Sequence, residues 1–303
     1  MSTNISWTDE TINPIVGCSR ISAGCQNCYA STAAASARLQ QFPQYQKVKD
    51  WNGTVEFAES ALLKPLSWKK PKRIFVCSMS DLFHENVPDQ WRDRVFGIMA
   101  AAHWHIFQVL TKRPLNALKY FQNFNLAQRI KDAGNLVCKP ELPLKNVWFG
   151  VTCENQEMAD KRIPILLQIP AKVRFLSCEP LLEEIDLSEV FGLYEYEEGK
   201  FALKVGSRWE SSPDWVIVGG ESGKDARVCH IDWVRSLTRQ CQAAEVPVFV
   251  KQLGSNCIES LPYIAGVPST DYQFKTSDRK GGDISEFPED LQVRKFPDIH
   301  KTR

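Results

Sequence analysis

The sequence predicts an α/β fold, a complete or partial (β/α) barrel, from three observations. Short apolar runs rich in β-branched residues recur along the 303 residues. Most are nearly continuous in apolar character, as parallel strands covered on both faces are. Helical patterns separate them, which is the signature of β/α units around a parallel sheet.

Taken in order, an opening strand is expected around Asn13–Gly17, followed by a cysteine-bearing loop. Tyr29 to Gln41 reads as a helix, with five alanines and no proline before Pro43. The later strands are expected at Ile74–Cys77, Ile106–Leu110, Val147–Val151, Val173–Leu176, Trp215–Val218 and Val246–Val250. Helices are expected between them at Gln90–His103, Pro114–Phe121, Glu157–Gln168 and Ile231–Ala244. Seven strands suit a barrel better than a small doubly wound sheet. The barrel is expected to occupy residues 1–268, with an acidic, Gly- and Tyr-containing excursion near 183–213. Residues 269–303 are polar, carry Gly281-Gly282 and read as a peripheral tail. No repeat of fixed period interrupts this plan.

Composition bounds the function classes. Hydrophobic residues make up 43%, enough for a large core, and 37 basic against 36 acidic residues leave a net charge of +1. No global field therefore draws a nucleic acid. The local basic runs Lys69-Lys70-Pro71-Lys72-Arg73 and Lys112-Arg113 fit either solvated loops or phosphate contacts. No apolar run is long enough for a bilayer and the N-terminus lacks a signal-peptide layout, so the cytoplasm is the expected location and no membrane partner is expected. In that compartment ten cysteines should be reduced thiols.

Three of those thiols cluster: Cys18, Cys25 and Cys28 are spaced C-x6-C-x2-C, with a glycine before each of the first two. Thiolates are soft ligands that select zinc, copper(I) or iron–sulfur clusters. Two readings stand. Three ligands with no fourth nearby suit a centre that keeps one coordination position for chemistry. A structural zinc would need a distant fourth ligand, His84, His230 or Cys77.

A second pattern lies at the strand ends. They run into Ser78-Met79-Ser80-Asp81, Thr111-Lys112-Arg113, Thr152-Cys153-Glu154-Asn155, Ser177-Cys178-Glu179-Pro180, Gly219-Gly220-Glu221 and Lys251-Gln252. Any one such end is explained by a polar loop or a helix cap. Six in a row, in a barrel, converge on the mouth where active sites are built. Gly219-Gly220 would let backbone approach a bound group, and Glu221 would accept hydrogen bonds from it. Cys153 and Cys178 read either as redox thiols or as packed small hydrophobes, and His84 as an acid/base group or a loop histidine.

Clustered cysteines ahead of a β/α barrel resemble the radical S-adenosylmethionine superfamily. More narrowly, the chain resembles a phage- and prophage-encoded family with a three-cysteine motif. The resemblance runs through Trp7-Thr8-Asp9, Gly24-Cys25-Gln26-Asn27-Cys28-Tyr29, Ser78–Phe83, Leu110–Pro114, Gly150–Asn155, Arg174–Leu181 and Val218–Gly223. It implies a barrel of the radical S-adenosylmethionine type and a [4Fe-4S] cluster on Cys18, Cys25 and Cys28. One-electron reduction at that cluster, from an external flavodoxin- or ferredoxin-like donor, would cleave S-adenosylmethionine and start radical chemistry.

The first gap here is six residues rather than three, Asn27 replaces an aromatic, and the Gly-Gly-Glu element comes late. What the resemblance implies for other residues is therefore placement alone. Ser78, Ser80 and Asp81 would lie near the cofactor's amino end, and Thr152, Glu154 and Asn155 near its ribose. Glu179, Glu221, Lys112, Cys153 and Cys178 would form the catalytic side. The implied substrate is a nucleobase, nucleotide or DNA, in modification or repair, with Trp7, Trp51 and Trp68 available to stack on a flipped base. The competing expectation is a zinc-stabilised phage adaptor protein without turnover.

Overall fold

The computed structural model describes residues 3, 5–203, 212–260 and 271–298. Seven strands form one sheet whose order follows the chain. They are β1 (Glu10–Ile12), β2 (Arg73–Val76), β3 (Ile106–Thr111), β4 (Val147–Thr152), β5 (Val173–Cys178), β6 (Trp215–Gly219) and β7 (Val248–Gln252). Their pairings β1/β2, β2/β3, β3/β4, β5/β6 and β6/β7 are parallel. Among the described residues β1 and β7 end the order, so of the two expected forms this is the partial β/α barrel. The helices used below are α1 (Tyr29–Ala34), α2 (Asp89–Ala101), α3 (Pro114–Phe121), α4 (Leu126–Ala133), α5 (Gln156–Leu166) and α6 (Ile231–Ala243).

The chain divides into two compact units, Met1–Val151 with Arg162–Arg174, and Thr152–Lys161 with Phe175–Arg303. In the first, strand alternation sorts the core. Phe107, Val109 and Phe149 are fully buried, and Phe149 packs with Phe83 and Phe121 at ring separations of 5.5 and 5.7 Å. Phe96 and Tyr120, from α2 and α3, stack at 5.4 Å in the same cluster. Phe75, Gln108 and Trp148 share the next register row and belong to the opposite side chain parity. A Cβ on Gly97 would lie 2.7 Å from Gly134 Cα, so these two glycines let α2 touch the chain just past α4.

In the second unit β6 is buried along its whole length and α6 buries Ile231, Val234, Leu237 and Cys241. The tail adds to the sheet here. Val250 N–H donates to Val293 O at 2.9 Å, Lys295 N–H donates to Val248 O at 3.0 Å, and Trp215 Nε1 donates to Lys295 O at 2.9 Å.

Two expected elements differ in extent. The opening strand lies earlier, at Glu10–Ile12, because Asn13-Pro14 breaks it, and Ile15–Val16 pairs antiparallel with Glu56–Phe57 instead. The helix from Tyr29 stops at Ala34, where Ser36 Oγ donates to Ala33 O and Gln40 Nε2 to Ala34 O. Side chains thus take carbonyls that the next helical turn needs. Within the expected excursion the chain forms an antiparallel hairpin, Leu193–Glu197 with Lys200–Leu203. Residues 204–211 and 261–270 lie outside the described residues.

Candidate functional site

In the first unit, the loop after β1 is fastened to the loop after β2. Asn13 Oδ1 accepts from Met79 N–H at 2.9 Å and from Ser78 Oγ at 3.2 Å. Ser80 Oγ donates to Ile15 O at 2.8 Å, and Gly17 N–H donates to Met79 O at 3.0 Å. Ser78 and Ser80, expected near a cofactor's amino group, therefore serve as fasteners between loops. Gly17 has φ +92°, and a Cβ there would come within 2.2 Å of Thr54 O, so the residue before Cys18 is glycine for steric reasons.

Asp81 organises the turn that follows β3. One carboxylate oxygen accepts from Thr111 Oγ1 at 2.7 Å and Phe83 N–H at 2.9 Å. The other accepts from Lys112 N–H at 3.0 Å and Arg113 Nη1 at 3.2 Å. With four donors on it and 6% exposure, this carboxylate holds protein groups rather than presenting itself to a ligand.

The buried Arg113 is the residue that sequence reasoning passed over as half of a basic run. Its Nε donates to both Glu85 oxygens at 2.9 Å, and its Nη2 to Ser19 O at 3.2 Å and Ser19 Oγ at 3.0 Å. Its Nη1 reaches Cys18 Sγ at 3.6 Å. Burial opposes the guanidinium charge, but Asp81, Cys18 and Glu85 outweigh it and hold Arg113 protonated. His84 completes the cluster. Its Nε2 lies 2.8 Å from Ser19 Oγ, and its Nδ1 accepts from Asn86 N–H at 3.1 Å. Burial first, and then the charge of Arg113, keep this imidazole neutral at neutral pH.

The three sulfurs sit in different settings, and each is only half-buried. Burial, reinforced by the Asp81 charge, pushes the Cys18 thiol up to about 11 against the pull of Arg113. Burial also acts on Cys25, yet the charge of Lys112 and hydrogen bonds from Ile21 and Ser22 leave its thiol below the ordinary value. Cys28 stands just before the first residue of α1 and packs against the apolar cluster of Val16, Tyr45, Val48 and Trp51. Six other cysteines are buried, Cys77, Cys153, Cys178, Cys229, Cys241 and Cys257, and Cys138 is exposed. The distant fourth ligands considered for zinc are otherwise engaged. Cys77 is buried with its thiol pushed up to about 12, His84 is held as above, and the His230 ring packs 4.5 Å from Trp233. Among the described residues no group of three or more His, Cys, Asp or Glu side chains is placed to hold a metal ion.

In the second unit lie the residues expected near the cofactor's ribose and most of those expected on the catalytic side. Thr152, Cys153 and Glu154 are buried, with Cys153 N–H donating to Ser177 O at 2.9 Å. Asn155 Oδ1 accepts from Met158 N–H at 3.0 Å and caps α5 rather than facing a ribose. Cys178 is fully buried and its thiol is pushed far up by burial, with Cys241 and Glu154 nearby, so it packs rather than reacts. Glu221 accepts from Arg227 backbone N–H and Nε at 2.9 Å and from Nη2 at 2.6 Å, so its carboxylate fastens its own loop. A Cβ on Gly220 would lie 2.2 Å from Leu253 O, and one on Gly219 would lie 3.2 Å from Glu179 Oε1. Those glycines admit neighbouring protein rather than a ligand. Glu179 keeps a part-exposed ion pair with Lys251 across the end of β6.

Of the tryptophans expected to stack on a base, Trp7 and Trp51 are buried and Trp68 is half-buried. Trp7 and Trp51 are 2% and 8% exposed, and Trp68 packs under Lys72 and against His105. No helix among the described residues is long and apolar enough to cross a membrane.

A family model described as "Protein of unknown function (DUF5131)" matches residues 2–286. No curated protein and no solved structure matches the chain. The resemblance to the radical S-adenosylmethionine superfamily and to the phage three-cysteine family is overturned by that match and by the cysteine loop, which among the described residues forms no group placed to hold a metal ion. Cys18 contacts Ser19 O and Arg113, Cys25 approaches Ser22 Oγ at 3.9 Å, and Cys28 shares with Cys18 the edge of the apolar cluster.

Proposed function

The chain belongs to the DUF5131 family, and within it we propose an enzyme whose reaction centre is the loop carrying Cys18, Cys25 and Cys28. The observation that supports this reading is the contrast among the cysteines. These three sulfurs are half-buried, Cys18 beside Arg113 and Cys25 near the charge of Lys112, whereas six others are sealed in the core. A solvent-reachable set of soft donors beside fixed positive charge suits a negatively charged thiolate-bound group.

The group in this proposal is a [4Fe-4S] cluster, which would supply one-electron reduction at an iron without a protein ligand once the three thiols turn toward one another. Cys18, Cys25 and Cys28 would hold it. Lys112 and Arg113 would offset its charge, with the Arg113 guanidinium held by its ion pair with Asp81. The co-substrate in this proposal is S-adenosylmethionine, reduced there by electrons from a flavodoxin- or ferredoxin-like donor, and the substrate class is a nucleobase or nucleotide.

Anaerobic reconstitution with iron and sulfide tests the reading. It expects a brown protein with charge-transfer absorbance, lost when all three cysteines are alanine. Addition of S-adenosylmethionine and dithionite should then release 5′-deoxyadenosine. A colourless protein holding one zinc, or iron bound equally by the triple variant, would overturn it.

A further inference from the structure

We infer that Glu179 and Lys251 form a binding site for a neutral group with a hydrogen-bond acceptor and an N–H donor side by side, as in a ring lactam or a primary carboxamide. The site stands on the geometry of the second unit alone; that such a ring belongs to a substrate of the chain rests on the nucleobase reading above.

Three features bring the two side chains together. Glu179 follows β5, and the loop there is held to the end of β6, where Leu181 N–H donates to Gly219 O at 2.9 Å. Lys251 lies in β7, on the far side of β6. Val218 pairs with Val250 but Gly219 pairs with Gln252, so Lys251 is the extra residue of a β-bulge. Bulges are over-represented next to active sites, where they re-aim a side chain. On the strand between, Gly219 has no side chain to obstruct the crossing, and a Cβ there would lie 3.2 Å from Glu179 Oε1. The end of β6 thus passes beneath an ion pair drawn from its two neighbours.

The pair has capacity left. A carboxylate offers about four acceptor sites and an ammonium three donors. Among the described residues, each of these side chains is engaged only with the other. They are 14% and 21% exposed, so solvent reaches one side of the pair while burial makes its spare groups unfavourable to leave idle. Asp81 and Glu221, by contrast, are filled by their own neighbours.

The pair is also net neutral. Glu179 repels a phosphate and Lys251 repels an ammonium ion, so neither is favoured. A neutral amide satisfies both members: its C=O accepts from Lys251 Nζ, and its N–H donates to the Glu179 carboxylate. A trans peptide bond points those two groups in opposite directions and cannot engage both. Ring lactams, such as the edge of uracil, and primary carboxamides point them the same way.

Saturation-transfer NMR on the whole, metal-free chain tests this with uracil, acetamide and 1,3-dimethyluracil, which keeps the carbonyls of uracil and lacks its N–H. Uracil should bind about tenfold more tightly than 1,3-dimethyluracil, the effect of one hydrogen bond to a charged group. Acetamide should compete with it. Glu179→Met should abolish the preference for uracil, because the N–H loses its acceptor. Lys251→Met should weaken both pyrimidines and keep the preference. Should either variant fail to fold, Gly219→Ala, whose Cβ crowds the Glu179 carboxylate, should reduce the preference in a folded chain. Equal binding of the two pyrimidines, no binding of uracil and acetamide alike, or an unchanged preference in Glu179→Met or Gly219→Ala would overturn the site. Binding of acetamide without uracil would keep the site and refute the nucleobase reading instead. Because no metal is present, failure of the protein to bind iron leaves each of these outcomes standing.

Discussion

Cys18 Sγ and Arg113 Nη1 stand 3.6 Å apart although 95 residues separate them in the chain. Despite that cation, burial and the Asp81 charge hold the Cys18 thiol up at about 11, while Lys112 helps bring Cys25 below the ordinary thiol value. Near pH 8 Cys25 then carries far more thiolate. The weaker nucleophilicity of a low-pKa thiolate offsets part of that gap, and Cys25 remains the faster of the two. Iodoacetamide labelling of the metal-free protein, read by peptide mass spectrometry, should give that order, with the six buried cysteines labelled only after unfolding. Equal rates at Cys18 and Cys25 would contradict the electrostatics of the loop.

Gly220 tests whether its loop is built for protein or for ligand. An added Cβ would sit 2.2 Å from Leu253 O, a backbone atom that cannot give way without moving the end of β7. Gly220→Ala should cost about 3 kcal/mol, measured by urea unfolding. A variant as stable as the parent would reopen the ligand-cradle reading of Gly219-Gly220.

Glu221 should behave as a fastener. Its carboxylate takes three hydrogen bonds from Arg227, whose side chain is about a quarter exposed. Discounting for that exposure, Glu221→Gln should lose roughly 2 kcal/mol. Hydrogen exchange should rise through residues 221–230. Full stability in the variant would return Glu221 to the list of candidate substrate contacts.

Asp89 gives the acid side of the stability curve. Burial would raise its pKa, but hydrogen bonds from Arg92 and Arg129 bring it below the ordinary carboxylate value of 3.8. A carboxyl held lower in the folded state than in the unfolded one adds stability above the ordinary value. That stability disappears as pH falls through the folded value. Urea midpoints should therefore drop more steeply below about pH 4 for the parent than for Asp89→Asn. Identical acid limbs would show that the pair with Arg92 and Arg129 adds nothing.

The strands were legible because fully buried parallel strands carry their own apolar signature. β3, β4 and β6 begin where the apolar runs begin, and α3 has the expected bounds. What failed were places where a side chain takes a backbone partner. Ser36 and Gln40 end α1 early, and Asn13 Oδ1 intercepts backbone at the end of β1. The site was legible in its ingredients and not in their roles. Asp81, Glu221 and Asn155 are acidic or amide residues at strand ends, but each is spent on a neighbour. Glu221 and Asn155 find their partners close by in sequence, at Arg227 and Met158, whereas for Asp81 only contacts with a distant segment, Thr111 to Arg113, reveal it. Arg113 was obscured for the same reason: next to Lys112 it reads as surface charge, and its partners come from residues 18–19 and 81–85.

The segment around Arg294 lies along β7, with Phe249 and Arg294 bridged antiparallel and Arg294 Nε donating to Val250 O at 3.1 Å. Without it β7 would present a row of open backbone groups on an apolar strand, the kind of template on which another chain can add. The pairing of Val293 and Lys295 thus leaves less of that edge open to a second copy. A protein cut after residue 286 would keep its parallel strands and lose its tolerance of high concentration.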